Sequence, residues 1–197
     1  MRPVLQILAS WSINEEGQIR LRTDVQLREE TEKDLKKTKG RRFFLPRFGL
    51  RLILPAEYDQ IEYFGYGPDE SYVDKHHASY KSLFAAQVDG MFENYLKPQE
   101  NGAHYDTEWL RCTDRYGTGL EVVGKSFSMN AARYTPQEIA AASHPHELPE
   151  AVKTVLHMDY AQSGSGSNSC GPELLPVYRL NEKQFTFELQ MQPIQNP

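Results

Sequence analysis

At 197 residues, 39% hydrophobic and 25% charged, the chain has the size and composition of one globular domain with a real core, neither fibrous nor disordered. Its 27 acidic and 22 basic side chains give a formal charge of −5, which argues against a general grip on a phosphate backbone, so nucleic acid is not an expected partner. The uncharged stretch Val4 to Ile13 is broken by Gln6, Ser10 and Ser12. It falls well short of the roughly 20 apolar residues of a membrane span and lacks signal-peptide flanks, so no membrane partner is expected and residence in the cytoplasm is. The two cysteines, Cys112 and Cys170, are far apart and suggest neither a disulfide framework nor a zinc cage.

Along the chain the dominant period is two. Ile19, Leu21, Thr23, Val25 and Leu27 alternate with polar residues, as on a strand with one buried face. Arg28 to Arg42 then carries seven basic and four acidic residues without an apolar stripe, and reads as a charged excursion between strands. Phe48, Leu50, Leu52 and Leu54 restore the alternation up to Pro55. Short β-like runs follow at Ile61 to Tyr66, Leu120 to Met129, Thr154 to Tyr160, Val177 to Leu180 and Phe185 to Met191. One short helix is predicted after Thr135, with Pro136 at its first position, Glu138 at its third and Ile139 to Ala142 behind. The pattern predicts a mainly β, antiparallel sandwich, residues 1–197 forming one domain with residues 28–42 as an excursion within it.

Gln162 to Pro172, Gln-Ser-Gly-Ser-Gly-Ser-Asn-Ser-Cys-Gly-Pro, is too poor in apolar residues for core. Gly164, Gly166 and Gly171 permit backbone angles that other residues avoid, and the Ser and Asn side chains add short hydrogen-bonding groups. A solvated connection is the plain alternative. A phosphate loop is not supported, because Pro172 and Pro176 follow where a helix N-terminus would be needed. Asp69, Glu70, Asp74 and Glu100 could be imagined as paired carboxylates for glycoside hydrolysis, but turn capping and pairing with Arg or Lys is the simpler reading. His144 and His146 imitate a metal pair, against which stand Pro145 and the lack of a nearby third ligand. Cys170 has no sequence-adjacent base to activate it, and a ligand-contacting or inert role is expected.

Eleven Tyr, nine Phe and two Trp, interleaved with Asp, Glu, Asn, Gln and His, suit either a sugar or a protein interface. In order come Leu45-Pro-Arg-Phe-Gly-Leu50, the run from Tyr63 to Lys75, Tyr95 to Gly102 with Trp109, the segment from Phe127 through Tyr134 to His146, and Ser169-Cys-Gly-Pro172. Together, over about residues 15–192, they resemble the C-terminal, small-chain domain of the large β-galactosidases of glycoside hydrolase family 2.

The resemblance implies an antiparallel β-supersandwich of the galactose-mutarotase-like type, here truncated at its N-terminus. It implies part of a retaining enzyme that removes terminal β-D-galactose from β-galactosides such as lactose. The catalytic glutamates, and the magnesium and sodium sites, belong to other domains of that family, so no catalytic residue and no cofactor is expected in this chain. By the same resemblance Asn168, Ser169 and Cys170 contact substrate on the aglycone side, Cys170 standing where some relatives carry Trp. The expected partners are the remainder or large chain of the enzyme and, through a shared site, the galactoside. Missing strands would leave an open edge or apolar face that self-association covers, giving a homo-oligomer. A free-standing carbohydrate-binding or scaffold module is the alternative. An aldose epimerase, with His104 or His157 set beside a Glu, is the weaker one.

Overall fold

The computed structural model describes residues 4–29, 44–165 and 173–195, which are mainly antiparallel β. Residues 30–42 of the charged excursion lie outside the described residues. The strands are β1 (Leu5–Ile13), β2 (Ile19–Leu27), β3 (Arg47–Pro55), β4 (Gln60–Gly67), β5 (Tyr80–Gln87), β6 (Ala103–Thr113), β7 (Gly119–Ala132), β8 (Lys153–Gln162) and β9 (Gln184–Ile194), with the helix α1 (Pro136–Ala141) between β7 and β8. Among these residues, no helix is long and apolar enough to cross a membrane.

The strands form one sheet in the order β1-β2-β9-β7-β6-β4-β5, and the β3–β8 pair joins it at β7. The 14-residue β7 is the fork. One of its sides pairs with β6; on the other, residues 119–124 pair with β9 and residues 128–132 with β8. Two successive partners on one side must splay apart, so the sheet folds back on itself as an open sandwich, confirming the antiparallel β reading.

Aromatic residues from both walls fill the space between them. The Tyr160 ring stacks on Phe185 with centroids 4.4 Å apart, and Phe48 meets Phe185 edge-on at 5.1 Å. The main core joins Leu21, Ile61, Tyr63, Leu110, Val122, Phe127, Met129, Leu156, Met158 and Leu189. Each such burial stabilises by roughly 1.5–3 kcal/mol. Register breaks between β3 and β8, where Phe48 faces Ala161 but Gly49 faces Asp159, leaving Tyr160 as the extra residue. A Cβ at Gly49 would collide with Asp159 and the Met158 carbonyl, so glycine is what lets the two backbones close here.

The predicted helix is present and capped as its sequence demands. Glu138 N–H donates to Thr135 Oγ1 at 3.2 Å, and Thr135 N–H donates to Glu138 Oε2 at 2.7 Å. One expected element is corrected: Val177 to Leu180 is not a strand. Pro176 opens a 3₁₀ turn, Pro176–Tyr178, and Leu180 makes only an isolated bridge to Leu45. Proline fixes its own φ and offers no N–H to a ladder, so it favours a turn there.

Candidate functional site

The segment Gln162 to Pro172 leaves the end of β8, and its two flanks are pinned to the start of β3 and to each other. On the near side Ser163 N–H donates to the Pro46 carbonyl at 2.8 Å, and Ser163 Oγ donates to the Leu45 carbonyl while accepting from Leu180 N–H at 2.8 Å. Gly164 has φ +29°, and a Cβ there would overlap the Leu174 side chain and the Asp74 carboxylate. On the far side Arg179 Nε donates to the Leu174 carbonyl at 2.8 Å, and its guanidinium lies 5.3 Å from the Phe44 ring centroid. Asn168, Ser169 and Cys170 themselves lie outside the described residues.

Both flanks border one groove of about 1060 Å³. It is lined by β7 from Val123 to Ser128, by Arg20 and Arg22 of β2 and by Thr186 to Gln190 of β9, and also by Tyr160, Gln162, Tyr178 and Arg179, with Tyr72, Tyr105 and Asp106. The groove therefore follows from the fork: where β8 and β9 part, space opens between them. Tyr160 lines it with one end of an amphipathic ring. Its hydroxyl donates to the Glu182 carboxylate at 3.0–3.1 Å, and burial beside that charge pushes the phenol up to about 12.

Two polar networks, each built around a buried carboxylate, adjoin the groove at Tyr72. Glu70 accepts from Tyr72 Oη at 3.0 Å, Lys75 Nζ at 2.5 Å, Gly102 N–H at 3.0 Å and Tyr95 Oη. Burial opposes its charge, but those donors hold the carboxyl below its ordinary value. Arg47 bridges Asp159 and Glu100, its Nε 3.1 Å from Asp159 Oδ2 and its Nη1 3.1 Å from Glu100 Oε1. Burial pushes the Asp159 carboxyl up to about 6 against the pull of Arg47, so it is still ionised at neutral pH. The networks adjoin at Tyr72, whose phenol is raised by burial and then by Glu70 and Glu100. Glu70 and Glu100 are thus held by Lys75 and Arg47, as the simpler reading of these carboxylates had it.

Neither histidine cast for epimerase chemistry lines the groove. His104 is buried with Nδ1 2.9 Å from the Tyr63 hydroxyl and 3.0 Å from the Tyr66 carbonyl; burial drives it down to about 4. His157 is buried on β8, where burial and then Arg47 and Arg51 drive it down to about 3. Both are neutral core residues at physiological pH. Cys112 is a buried free thiol, raised to about 12 by burial and unfit as a nucleophile. The sequence missed Arg47, Asp159 and Tyr160 as parts of the site, because sequence distance hides that β3 and β8 pair. The Arg47–Gln162 register shows it at once.

The fold and the groove define a mainly β domain in which the described residues on either side of a short polar segment border one groove. The family model described as β-galactosidase small chain matches residues 1–191. A β-galactosidase of Actinobacillus pleuropneumoniae is 42% identical over 148 residues, covering 75% of this chain and 14% of the relative. A Staphylococcus xylosus β-galactosidase is 35% identical over 189 residues, covering 96% of this chain and 18% of the relative. One from Arthrobacter sp. strain B7 is 35% identical over 164 residues, covering 80% and 16%. The chain belongs to the β-galactosidase small-chain family and corresponds to the small-chain domain of large β-galactosidases. It spans between 14% and 18% of the length of these three relatives.

Proposed function

We propose that this chain is the small-chain part of a retaining, cytoplasmic β-galactosidase that removes terminal β-D-galactose from β-galactosides such as lactose. The rest of the enzyme supplies the catalytic carboxylates, and the loop from Gln162 to Pro172 completes the aglycone side through Asn168, Ser169 and Cys170. The family match over residues 1–191 carries this reading. The pinning of both loop flanks at the groove supports the part given to the loop, since a sugar-contacting loop needs a rigid base. A thiol at Cys170 offers no stacking platform, so the reading includes weak retention of the leaving sugar.

The remainder of the enzyme is also the partner assigned to the inner face of β1, where Ile7, Trp11 and Ile13 are exposed beside the buried Leu21 and Val25. Nitrophenyl-β-galactoside hydrolysis tests the whole reading. The purified chain alone should show no turnover, and activity should appear on mixing it with the remainder of the enzyme. Turnover by the isolated chain overturns the reading. In the assembled enzyme Cys170→Trp should strengthen inhibition by glucose several-fold while the release of nitrophenol changes little. Unchanged glucose inhibition removes the loop from the aglycone side.

A further inference from the structure

His144, Pro145, His146 and Glu147 form the connection between α1 and β8, on a surface distant in sequence from the loop and its flanks. His144 is extended and caps a 3₁₀ turn, Pro145–Glu147, which Pro145 opens with its fixed φ. Rather than separating the two imidazoles, Pro145 lets them lie side by side, their centroids 5.4 Å apart and their planes within 18°. The turn also brings in the third group that the spacing of the histidines did not disclose. Glu147 Oε1 lies 3.1 Å from His144 Nδ1, and Glu147 Oε2 accepts from Ser143 N–H at 2.7 Å. One ligand atom from each of His144, His146 and Glu147 falls within 4.8 Å of the others.

We propose that His144, His146 and Glu147 bind one borderline divalent cation, of the class of Zn²⁺, Ni²⁺ and Cu²⁺. Two imidazoles and one carboxylate suit that class, whereas Mg²⁺ and Ca²⁺ prefer all-oxygen shells. Tetrahedral zinc with ligands at about 2.1 Å holds neighbouring ligand atoms about 3.4 Å apart, close to the His144–Glu147 separation already present. The remaining closure needs only rotation of exposed side chains, since all three residues are exposed. Ser143 N–H serves as the outer-shell contact that orients the carboxylate. Three protein ligands leave a coordination position to water. Ligation would clamp the α1–β8 connection. It does not depend on the sugar-site reading.

Calorimetric titration of the full chain with ZnCl₂, in metal-stripped buffer containing excess Mg²⁺, tests the site. One saturable Zn²⁺ equivalent per chain is expected. His144→Ala and His146→Ala should each weaken binding by at least the roughly 10–100-fold that loss of an outer-shell partner costs, with a smaller loss for Glu147→Gln. A His76→Ala/His77→Ala double variant controls for the other close histidine pair, whose rings stack at 4.8 Å, and should bind as the parent does. Unchanged far-ultraviolet circular dichroism should show that these surface variants remain folded. Titration with Co²⁺ supplies a second readout, a visible band of four- or five-coordinate cobalt lost in His144→Ala. Absence of saturable binding, a loss that follows His76 and His77, or a near-ultraviolet thiolate-to-cobalt band assigning the ion to cysteine each overturns the proposal.

Discussion

β1 and β2 present the same face of the sheet and meet opposite fates. Ile7 pairs with Val25 and Trp11 with Leu21, so these side chains point to one side. Yet Val25 is 1% exposed and Leu21 3%, whereas Ile7 is 50% and Trp11 55% exposed. The difference is the opposite wall. Phe48 of β3 and Tyr160 of β8 reach Phe185 on β9, next to β2, but β1 lies beyond that contact at the end of the sheet. Alternation therefore sets which way a side chain points, and the second layer decides whether pointing there removes it from water.

The largest break of this comparison is truncation on the covered side. Leu21→Ala should lose about 2–5 kcal/mol in urea unfolding, the transfer and cavity cost of a core leucine. Ile7→Ala in the isolated chain should stay within about 0.5 kcal/mol, as exposed substitutions do. An Ile7 cost equal to that of Leu21 would mean that β1 is covered in solution.

Acid sharpens the same contrast, because Leu5 to Ile13 contains no ionisable side chain whereas the covered half holds His104 and His157. Both are depressed when folded, to about 4 and about 3, from an ordinary 6.5. Below about pH 6.5 the unfolded chain therefore takes up protons that the folded chain refuses, and stability falls with pH, by at most roughly 1.4 kcal/mol per unit for each histidine. Asp159, raised to about 6 from 3.8, works in the opposite sense between those values and offsets part of the loss. Urea midpoints at pH 7.5, 6 and 5 should fall in that order. His104→Gln should flatten the slope, and a Trp11 variant should leave it unchanged; a slope that ignores His104 would show that the imidazole protonates in place.

The smallest effect on stability, and the most direct on association, is Trp11→Ser. Light scattering of the isolated chain should show a mass that rises with concentration, a rise the variant reduces while its unfolding midpoint hardly moves. A monodisperse parent monomer across micromolar concentrations would end the expectation of self-association through β1.

Several elements were legible because their local code is strong. β2 and β3 declare themselves by alternation over nine residues each, and α1 by Thr135, Pro136 and Glu138, whose capping box needs no tertiary partner. β1 does not declare itself as a strand, since its apolar residues look like an unplaced hydrophobic run until β2 gives them a register. β6 is hidden in the sequence for a different reason. Its pairing with β7 shifts between His104 and Thr107, where Asp106 takes φ +50°, and its buried face includes His104 and Thr107. A bulge resets the period of two and polar burial hides the face. Within the site, the sequence singled out the loop and could not show what holds it, because Leu45, Ser163 and Leu180 meet only when β3 pairs with β8. The sequence sets His144 and His146 as a pair, while the approach of Glu147 depends on the 3₁₀ turn.

The class of element, the capped helix, the family and the polar loop can be read from the chain alone, since they rest on local spacing and on motifs that survive as ordered strings. That β7 takes two partners on one side, that a groove opens where they part, and that Arg47 answers Asp159 and Glu100 follow from the folded arrangement instead. Those outcomes depend on contacts between residues far apart in the chain, whose energies come from burial and pairing in space and leave no period in the sequence.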